Sequence, residues 1–259
     1  MRKILFTSLA ALGLATAAQA APEKGQWSVR IMGGADFPIG GALHGGVNAP
    51  VADLGALNPD LAGVPATLAI EERGNRRIYN NGFAGSLELG YALRDGAEIF
   101  GSLRYQRAGE GNIQVGNAIV PALNAELPVN GTFQRLQVWT GELGYRQYLA
   151  TGAIQPYVAG RAGISFTSGI NADFAVPAAA IALNDVPFYK SSVSATLGGD
   201  LGVAIPVASK VDLNLETGIR WTSGLRGNDA ALAGLGLASI NDVGARWDIP
   251  VRAGLTFRF

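Results

Sequence analysis

Apolar residues occupy every second position in eight segments of this chain. In one of them Phe83, Leu87 and Leu93 stand at odd positions, whereas Glu88 and Gly90 stand at even positions. Because successive side chains of an extended strand point to opposite faces, such alternation gathers the apolar side chains on one face. The pattern predicts eight strands, at residues 27–31, 83–93, 97–105, 139–145, 157–166, 193–205, 211–221 and 247–259.

The connections between these segments alternate in length. Short turns are predicted near residues 94–97, 150–155 and 206–210, and long connections span about residues 35–81, 108–131, 167–191 and 222–246. Outer-membrane barrels show this asymmetry, with an even number of antiparallel strands, tight periplasmic turns and longer outside loops. The sequence therefore predicts an all-β fold: an eight-stranded antiparallel up-and-down transmembrane β-barrel with short periplasmic turns and four long extracellular loops.

The more polar face of these segments carries basic and acidic side chains in equal number. The seven of each sign are Arg30, Arg104, Arg146, Arg161, Arg220, Arg252 and Arg258, and Glu88, Glu98, Glu142, Asp200, Asp212, Glu216 and Asp248. A soluble sandwich would also alternate, but an eight-stranded barrel has an interior just wide enough for side chains to fill. Since an unpaired buried ion is costly, balanced charge fits a filled lumen.

We therefore predict a structural ion network that plugs the lumen. The expected pairing joins Arg104, Arg161 and Arg220 to Glu88, Glu142 and Glu216. A path for protons or ions through the same groups is the alternative.

Aromatic side chains on the apolar face gather near the ends of the segments. The outer ends carry Phe83, Tyr105, Phe133, Phe166, Trp221 and Trp247, and the periplasmic ends carry Trp27, Tyr91, Tyr145, Phe257 and Phe259. Membrane barrels place amphipathic rings at both membrane interfaces around an aliphatic band. The two rows favour a membrane barrel over a soluble sandwich, whose core would more naturally bury aromatic rings at mid-strand.

The start of the chain is typical of a secretory signal peptide. Arg2 and Lys3 precede an apolar run, and Ala18-Gln19-Ala20 ends it with small residues before a cleavage site. We expect cleavage near Ala20 and residence in the outer membrane of a Gram-negative-type bacterium. The predicted organisation is a signal peptide at residues 1–20 and an outer-membrane barrel at residues 21–259.

Composition agrees with such a barrel. The 259 residues are 48% apolar and 15% charged, with a mean hydropathy of +0.21. After the signal segment, however, no apolar stretch reaches the ~20 residues that a membrane helix needs. Basic and acidic residues number 20 each, so no net charge attracts nucleic acid. Apolar side chains that face lipid from every second position explain the positive hydropathy.

The run from Val251 to Phe259, together with the signal segment and the Gly-rich strands, resembles small outer-membrane barrels of the OmpA-like and opacity-like type. In that family a terminal Phe after alternating apolar residues is recognised by the barrel assembly machinery, and Phe259, Phe257 and Leu255 match this signal. The resemblance implies assembly through the last strand. We further expect contact with outer-membrane lipid and a monomer. No residues follow Phe259, so a periplasmic peptidoglycan-binding domain is not expected.

Residues that could carry chemistry are scarce. His44 is the one histidine and there is no cysteine, whereas metal sites and nucleophile triads need clusters of such groups. Beside Gly45 and Gly46 in the first long connection, His44 is expected to be a solvated loop residue. We predict no enzyme activity, no metal and no cofactor. A lipid-modifying outer-membrane enzyme is a disfavoured alternative, because no histidine lies beside a serine on a strand.

Each long connection carries an apolar stretch, at residues 49–70, 118–129, 174–187 and 229–240. Exposed apolar patches suggest contact with something. These stretches either pack on one another as a cap over the barrel mouth or form an external binding surface, and the sequence does not decide between the two. We predict a structural or surface-interaction role, with an extracellular partner reached through the loops. A narrow passive channel for ions or small solutes is the alternative.

Overall fold

The computed structural model describes residues 21–259, and the predicted signal peptide lies outside the described residues. In chain order the strands are β1 (Trp27–Gly40), β2 (Ala42–His44), β3 (Val47–Val51), β4 (Ala66–Ile70), β5 (Arg73–Gly74), β6 (Gly82–Arg94), β7 (Ala97–Ala108), β8 (Gly111–Val120), β9 (Ala125–Phe133), β10 (Leu136–Tyr148), β11 (Gln155–Thr167), β12 (Ile170–Val176), β13 (Ile181–Tyr189), β14 (Ser192–Ala208), β15 (Val211–Thr222) and β16 (Arg246–Arg258). The helical elements are α1 (Asn75–Ile78) and the 3-10 turns Leu54–Ala56, Pro59–Leu61, Pro121–Leu123, Pro177–Ala179, Asp229–Ala231 and Ala233–Leu235. Within residues 21–259, none of the helices is long and apolar enough to cross a membrane.

Eight of the described strands close into an antiparallel barrel, in the order β1, β16, β15, β14, β11, β10, β7 and β6. Strand β1 closes the barrel because it pairs with β16 on one side and with β6 on the other, where Ser28 lies opposite Arg258 and Trp27 opposite Tyr91. The three predicted short turns join β6 to β7, β10 to β11 and β14 to β15. The predicted eight-stranded antiparallel barrel is confirmed.

The outer face of the barrel is an exposed apolar surface. Leu143, near the middle of β10, is 76% exposed, and Leu201, near the middle of β14, is 62% exposed. The residues that precede these leucines in their strands, Glu142 and Asp200, are buried on the lumen side. Charged side chains inside and aliphatic side chains outside are the arrangement of a barrel that spans hydrocarbon.

The four long connections are mostly folded into strands and short turns. Strands β13, β12, β9, β8, β4 and β3 form a six-stranded sheet in that order, and β2 pairs with β5. We refer to residues 41–81, 109–135, 168–191 and 223–245 as the cap. All four cap segments leave the same end of the barrel, opposite the short turns, because the barrel strands alternate in direction.

The apolar stretches of the cap pack on one another. Phe133 lies with its ring centroid 5.3 Å from that of Phe188 and 5.9 Å from that of Phe174, in a core that contains residues from all four segments. The Asn58 side-chain amide donates a hydrogen bond of 2.9 Å to the carbonyl of Ala179, which ties the first segment to the third. Of the two interpretations of these stretches, packing as a cap accounts for most of their apolar side chains.

The two predicted aromatic rows are present, with one correction. Near the short turns Trp27 and Tyr91 lie 4.9 Å apart, and near the cap Tyr105 and Trp139 lie 4.8 Å apart, measured between ring centroids. Phe133 does not belong to the outer row, because it stands on β9 of the cap and is buried there.

Candidate functional site

The fourteen predicted lumen ions all lie inside the barrel, and none is more than 7% exposed. Two further charged side chains of the described chain join them: Asp36 on β1 and Arg246 on β16, both buried. Counted over residues 21–259, the interior thus holds eight basic and eight acidic groups. Because Asp36 and Arg246 have opposite charges, the numbers of basic and acidic groups in the interior remain equal, as the sequence indicated.

Arg161 lies at the centre of this network. Its Nη1 lies 3.1 Å from Glu88 and 3.4 Å from Glu142. Its Nη2 lies 2.6 Å from Asp200 and 3.4 Å from Glu216. These carboxylates stand on β6, β10, β14 and β15, so one cation links four strands besides its own across the lumen.

The next layer towards the short turns is centred on Arg146. Its Nη2 lies 2.7 Å from Glu88, and its Nη1 contacts Glu98. Arg30 lies 3.7 Å from Glu98 and donates a hydrogen bond of 3.0 Å to the hydroxyl of Tyr148. Each carboxylate of this layer therefore contacts a guanidinium group, which offsets the cost of burying both charges.

An aromatic ring fills the space between these two layers. Phe100 breaks the alternation of its strand by standing on the polar face. Its ring centroid lies 4.4 Å from the guanidinium carbon of Arg146 and 4.9 Å from that of Arg161, within the range of cation–π contacts. Gly144 of the neighbouring strand makes room for it, because a Cβ there would overlap the ring.

The ends of the lumen have their own ion pairs. Near the short turns Arg258 lies 2.6 Å from Asp212. Near the cap Arg104 contacts Asp36, and Arg252 lies 3.7 Å from the other oxygen of Asp36. Arg252 differs from Arg161, because none of its guanidinium nitrogens has a hydrogen-bond partner within the described residues.

Arg161 contacts all three glutamates of the expected pairing, Arg220 contacts one of them, and Arg104 contacts none of them within the described residues. Arg220 lies 3.8 Å from Glu142 and makes its shorter contact, of 2.5 Å, with Asp200. Arg104 meets Asp36 because β1 continues to Gly40, well beyond the predicted end of that strand.

Asp36 and Arg246 were missed because both lie within predicted long connections. The sequence did contain an indication of both. Asp36 stands at an even position like Arg30, and so on the same face of β1; Arg246 stands two positions before Asp248, and so on the same face of β16.

The residues predicted to form the assembly signal lie on the outside of β16. Leu255 pairs with Ile31 on one side and Leu213 on the other, and Phe257 and Phe259 follow it towards the short-turn end with exposed side chains. Recognition of these residues by the assembly machinery stays a prediction.

A second feature lies in the cap, where an apolar cavity has a volume of about 70 Å³. All four cap segments contribute to its wall, for example through Leu54, Val129, Phe174 and Leu237. Among the described residues that line it, His44 is the only one with a polar side chain.

His44 is not the solvated loop residue that the sequence suggests. It is 1% exposed, stands on β2 opposite Arg73 of β5, and stacks on Phe133 with ring centroids 5.7 Å apart. The neighbouring Gly45 and Gly46 belong to a tight connection between two cap strands rather than to a mobile loop. An isolated histidine in the sequence therefore became part of an apolar core.

Burial lowers the pKa of His44 below its ordinary value of 6.5. The charge on Arg73 acts in the same direction, whereas the hydrogen bond to Gly45 and the charge on Glu72 oppose it. His44 is therefore neutral near pH 7. Its Nδ1 lies 3.0 Å from the carbonyl of Gly45, which can only accept, so Nδ1 carries the proton and Nε2 presents a lone pair.

No group of three or more His, Cys, Asp or Glu side chains in residues 21–259 is arranged to hold a metal ion. The absence of a cofactor and of enzyme activity stays a prediction.

Comparison with known proteins gives a likeness in fold. No family model and no curated protein matches the chain. Ail, the attachment invasion locus protein of Yersinia pestis, solved with the heparin analogue sucrose octasulfate, is 11% identical with a TM-score of 0.38, over 91% of this chain and 99% of that chain. Neisserial surface protein A is 15% identical with a TM-score of 0.39, over 91% and 98%.

The outer membrane protein OprG from Pseudomonas aeruginosa is 17% identical with a TM-score of 0.37, over 92% of this chain and 98% of that chain. These neighbours are small eight-stranded outer-membrane barrels. The fold that the resemblance in the sequence implies is confirmed by the closed eight-stranded barrel of this chain itself. Identities this low transfer neither a ligand nor a role.

Proposed function

We propose that this protein is a non-conducting outer-membrane barrel that holds a folded cap at the cell surface, in a structural or surface-interaction role. The observation that carries the proposal is the set of contacts between Arg161 and four carboxylates on four other strands. Because Phe100 packs against the same guanidinium, side chains rather than water occupy the centre of the lumen. Ions would have to separate these pairs to pass.

The apolar outer face and the aromatic rows support residence in a membrane. A closed barrel satisfies every backbone hydrogen bond between strands, which is one of the two ways in which a chain can span hydrocarbon. Together with the signal segment, these features favour export and insertion into the outer membrane after cleavage near Ala20. The short turns then face the periplasm and the cap faces outward.

The surroundings of His44 support a role without catalysis. A catalytic triad needs a nucleophile at one ring nitrogen and an orienting acid at the other. Here Nδ1 donates to the carbonyl of Gly45, and Nε2 has no hydrogen-bond partner among the described residues. An extracellular partner would instead meet the outer turns of the cap, where Leu123 is 60% exposed.

Planar-bilayer recording tests the closed lumen. The sample is full-length protein extracted from the outer-membrane fraction, whose N-terminal sequence is expected to begin at Ala21. Its folded state is checked by the faster gel mobility of the unheated sample. We expect no stable conductance steps, whereas a wide general porin in the same bilayers gives clear steps as the positive control. A stable open pore in the folded protein would overturn the proposal in favour of a passive channel.

A further inference from the structure

The charged residues outside the lumen are sorted by sign between the cap and the place where it joins the barrel. Most of the cap, residues 47–70, 111–134, 168–189 and 227–245, contains no lysine or arginine. These stretches carry seven acidic side chains, all of them exposed: Asp53, Asp60, Glu126, Asp173, Asp185, Asp229 and Asp242. The outer surface of the cap is therefore negatively charged.

The joining residues have the opposite charge. We refer to residues 71–81, 107–110, 135, 190–191 and 223–226 as the collar. The collar carries three acidic side chains, Glu71, Glu72 and Glu110, and seven basic ones: Arg73, Arg76, Arg77, Arg107, Arg135, Lys190 and Arg226.

Most of these cations have no acidic partner. Arg73 lies 2.6 Å from Glu71, but the other six are exposed and make no salt bridge within residues 21–259. The lumen differs in this respect, because its carboxylates and guanidinium groups contact one another. The collar thus presents unpaired positive charge to whatever surrounds the base of the cap.

The register of the barrel strands places part of the collar at the edge of the membrane. Arg107 stands on the outer face of β7, two positions beyond Tyr105, whose ring packs on Trp139 in the outer aromatic row. Arg135 stands two positions before Gln137, the residue opposite Arg107. Two residues of a strand span about 7 Å, and lipid headgroups extend roughly 5–8 Å beyond the hydrocarbon on each side. Both arginines therefore lie at the level of the headgroups.

The other unpaired cations of the collar lie elsewhere around the same end of the barrel. Lys190 precedes β14 and Arg226 follows β15, and the backbone N–H of Lys190 donates a hydrogen bond of 3.0 Å to the carbonyl of Arg226. Arg76 and Arg77 stand on α1, which packs against β1. Positive charge thus occurs beside β1, beside β7 and β10, and beside β14 and β15.

We propose that the collar binds the anionic phosphate groups of outer-leaflet lipids and thereby seats the cap on the membrane surface. The inference rests on the proposed function, which places the barrel in the outer membrane with the cap outward. Guanidinium groups pair with phosphate through two parallel hydrogen bonds, and an anionic membrane surface attracts basic side chains. The same surface repels the acidic stretches, so both charges orient the cap away from the bilayer.

The acidic surface of the cap favours lipid over an anionic polymer as the partner. A polymer that approaches from outside the cell meets the seven exposed carboxylates before it reaches the collar. Lipid phosphates approach from the side of the aromatic row, where the unpaired arginines Arg107 and Arg135 stand.

Trp139 provides a local measure of the lipid beside Arg107 and Arg135. Phenylalanine replaces the other three tryptophans, in Trp27→Phe, Trp221→Phe and Trp247→Phe. The folded full-length protein is placed in mixed vesicles of phosphatidylcholine and phosphatidylglycerol, in which one lipid or the other carries brominated acyl chains. Quenching of the Trp139 fluorescence then gives the relative affinity of the two lipids at this position.

We expect the native collar to prefer phosphatidylglycerol. Arg107→Gln with Arg135→Gln should lower this preference by about fivefold or more, since each basic group near an anionic surface is worth about fivefold. Salt at about 1 M, where charges are screened beyond ~3 Å, should lower it without any substitution. An absent preference, or one that survives both treatments, would overturn the proposal.

A matched variant separates the collar from the net charge of the protein. Asn124→Asp with Asn184→Asp changes the net charge by the same amount at exposed positions of the cap outside the collar. We expect this variant to keep the native preference, and an equal loss in the two variants would overturn the proposal. The faster gel mobility of unheated samples shows that each variant is folded. The salt series needs no variant and decides the question even if the arginine substitutions prevent folding.

The remaining outcomes distinguish this inference from the proposed function. If neither brominated lipid quenches Trp139, the barrel does not lie in the bilayer and the proposed function fails as well. Equal quenching by both lipids overturns the role of the collar alone. Labelled dextran sulfate is expected not to bind the native protein in vesicles that contain phosphatidylglycerol, because lipid covers the collar. Binding that the arginine substitutions remove would assign the collar to an external polymer and overturn the proposal.

Discussion

The barrel and the cap are built from the same alternation of side chains, but with opposite faces turned inward. In β6 the buried side is that of Glu88, and Leu87 faces outward. In β4 the buried side is that of Ala66, Leu68 and Ile70, and Thr67 and Ala69 between them are half-buried. Hydrocarbon surrounds the barrel, and water surrounds the cap. The solvent outside decides which face of an alternating strand becomes the interior.

The two regions therefore depend on different interactions for their internal packing. Inside the barrel, ion pairs and hydrogen bonds must satisfy each charge, since an unpaired ion in such surroundings is strongly unfavourable. Inside the cap, removal of apolar surface from water is the main favourable term. The same chemical change made in two different surroundings should therefore lower the free energy of unfolding by different amounts.

The largest effect is expected for a cation at the centre of the barrel. Arg161→Met leaves four carboxylates without their shared partner and should lower the free energy of unfolding by about 3–5 kcal/mol. Arg252→Met is the matched control, because Arg252 makes no hydrogen bond within the described residues and Asp36 keeps its contact with Arg104. Urea unfolding in lipid vesicles measures both. Equal losses would contradict a central role for Arg161.

A smaller effect is expected from two exposed leucines. Leu143 on the barrel and Leu123 on the cap are both well over half exposed, yet only Leu143 lies in the apolar band. Leu143→Arg should lower the free energy of unfolding by about 2–4 kcal/mol, whereas Leu123→Arg should change it by less than about 0.5 kcal/mol. The same urea experiment compares them. A tolerated arginine at position 143 would place this band in water instead of hydrocarbon.

The smallest effect concerns pH and is confined to the cap. Because burial lowers the pKa of His44, the unfolded cap binds a proton more readily than the folded cap. The free energy of cap opening is then constant above about pH 6.5 and falls by up to about 1.4 kcal/mol per pH unit below it, until the lowered pKa is reached. Hydrogen exchange of cap amides between pH 7.5 and 5 measures this, after correction for the intrinsic rates. His44→Leu should remove the dependence, and a dependence that persists in this variant belongs to another group.

The sequence was sufficient for the barrel because its strands are long and alternate without interruption. Whether a residue stands at an odd or an even position of a strand determines the face it occupies. The sequence therefore predicted that all fourteen charged side chains face the lumen. It could not tell at what height along the lumen each one lies, because height depends on the stagger between strands. Arg104 faces the lumen like the glutamates expected to pair with it, but at a different height along the barrel. Its guanidinium group contacts Asp36 instead.

The cap could not be predicted as a sheet because its strands are short and carry residues that argue against strands. Pro50, Pro128 and Pro187 lie within β3, β9 and β13, and proline is usually found only at edges or irregular places in a sheet. The burial of His44 was hidden for a different reason. Two glycines follow it in the sequence, whereas the aromatic rings that pack on it, Phe133 and Phe188, come from other segments.

The pairing of β1 with β16 has a consequence for how the protein forms. Ser28 and Arg258 are adjacent in the barrel but 230 positions apart in the chain, so the contact that seals the wall is among the most distant in sequence. Such distant contacts make folding slow, and until β16 has been synthesised β1 presents an unpaired edge that invites aggregation. The nascent chain therefore has to be kept from self-association during its passage to the membrane, and insertion has to be completed after synthesis rather than during it.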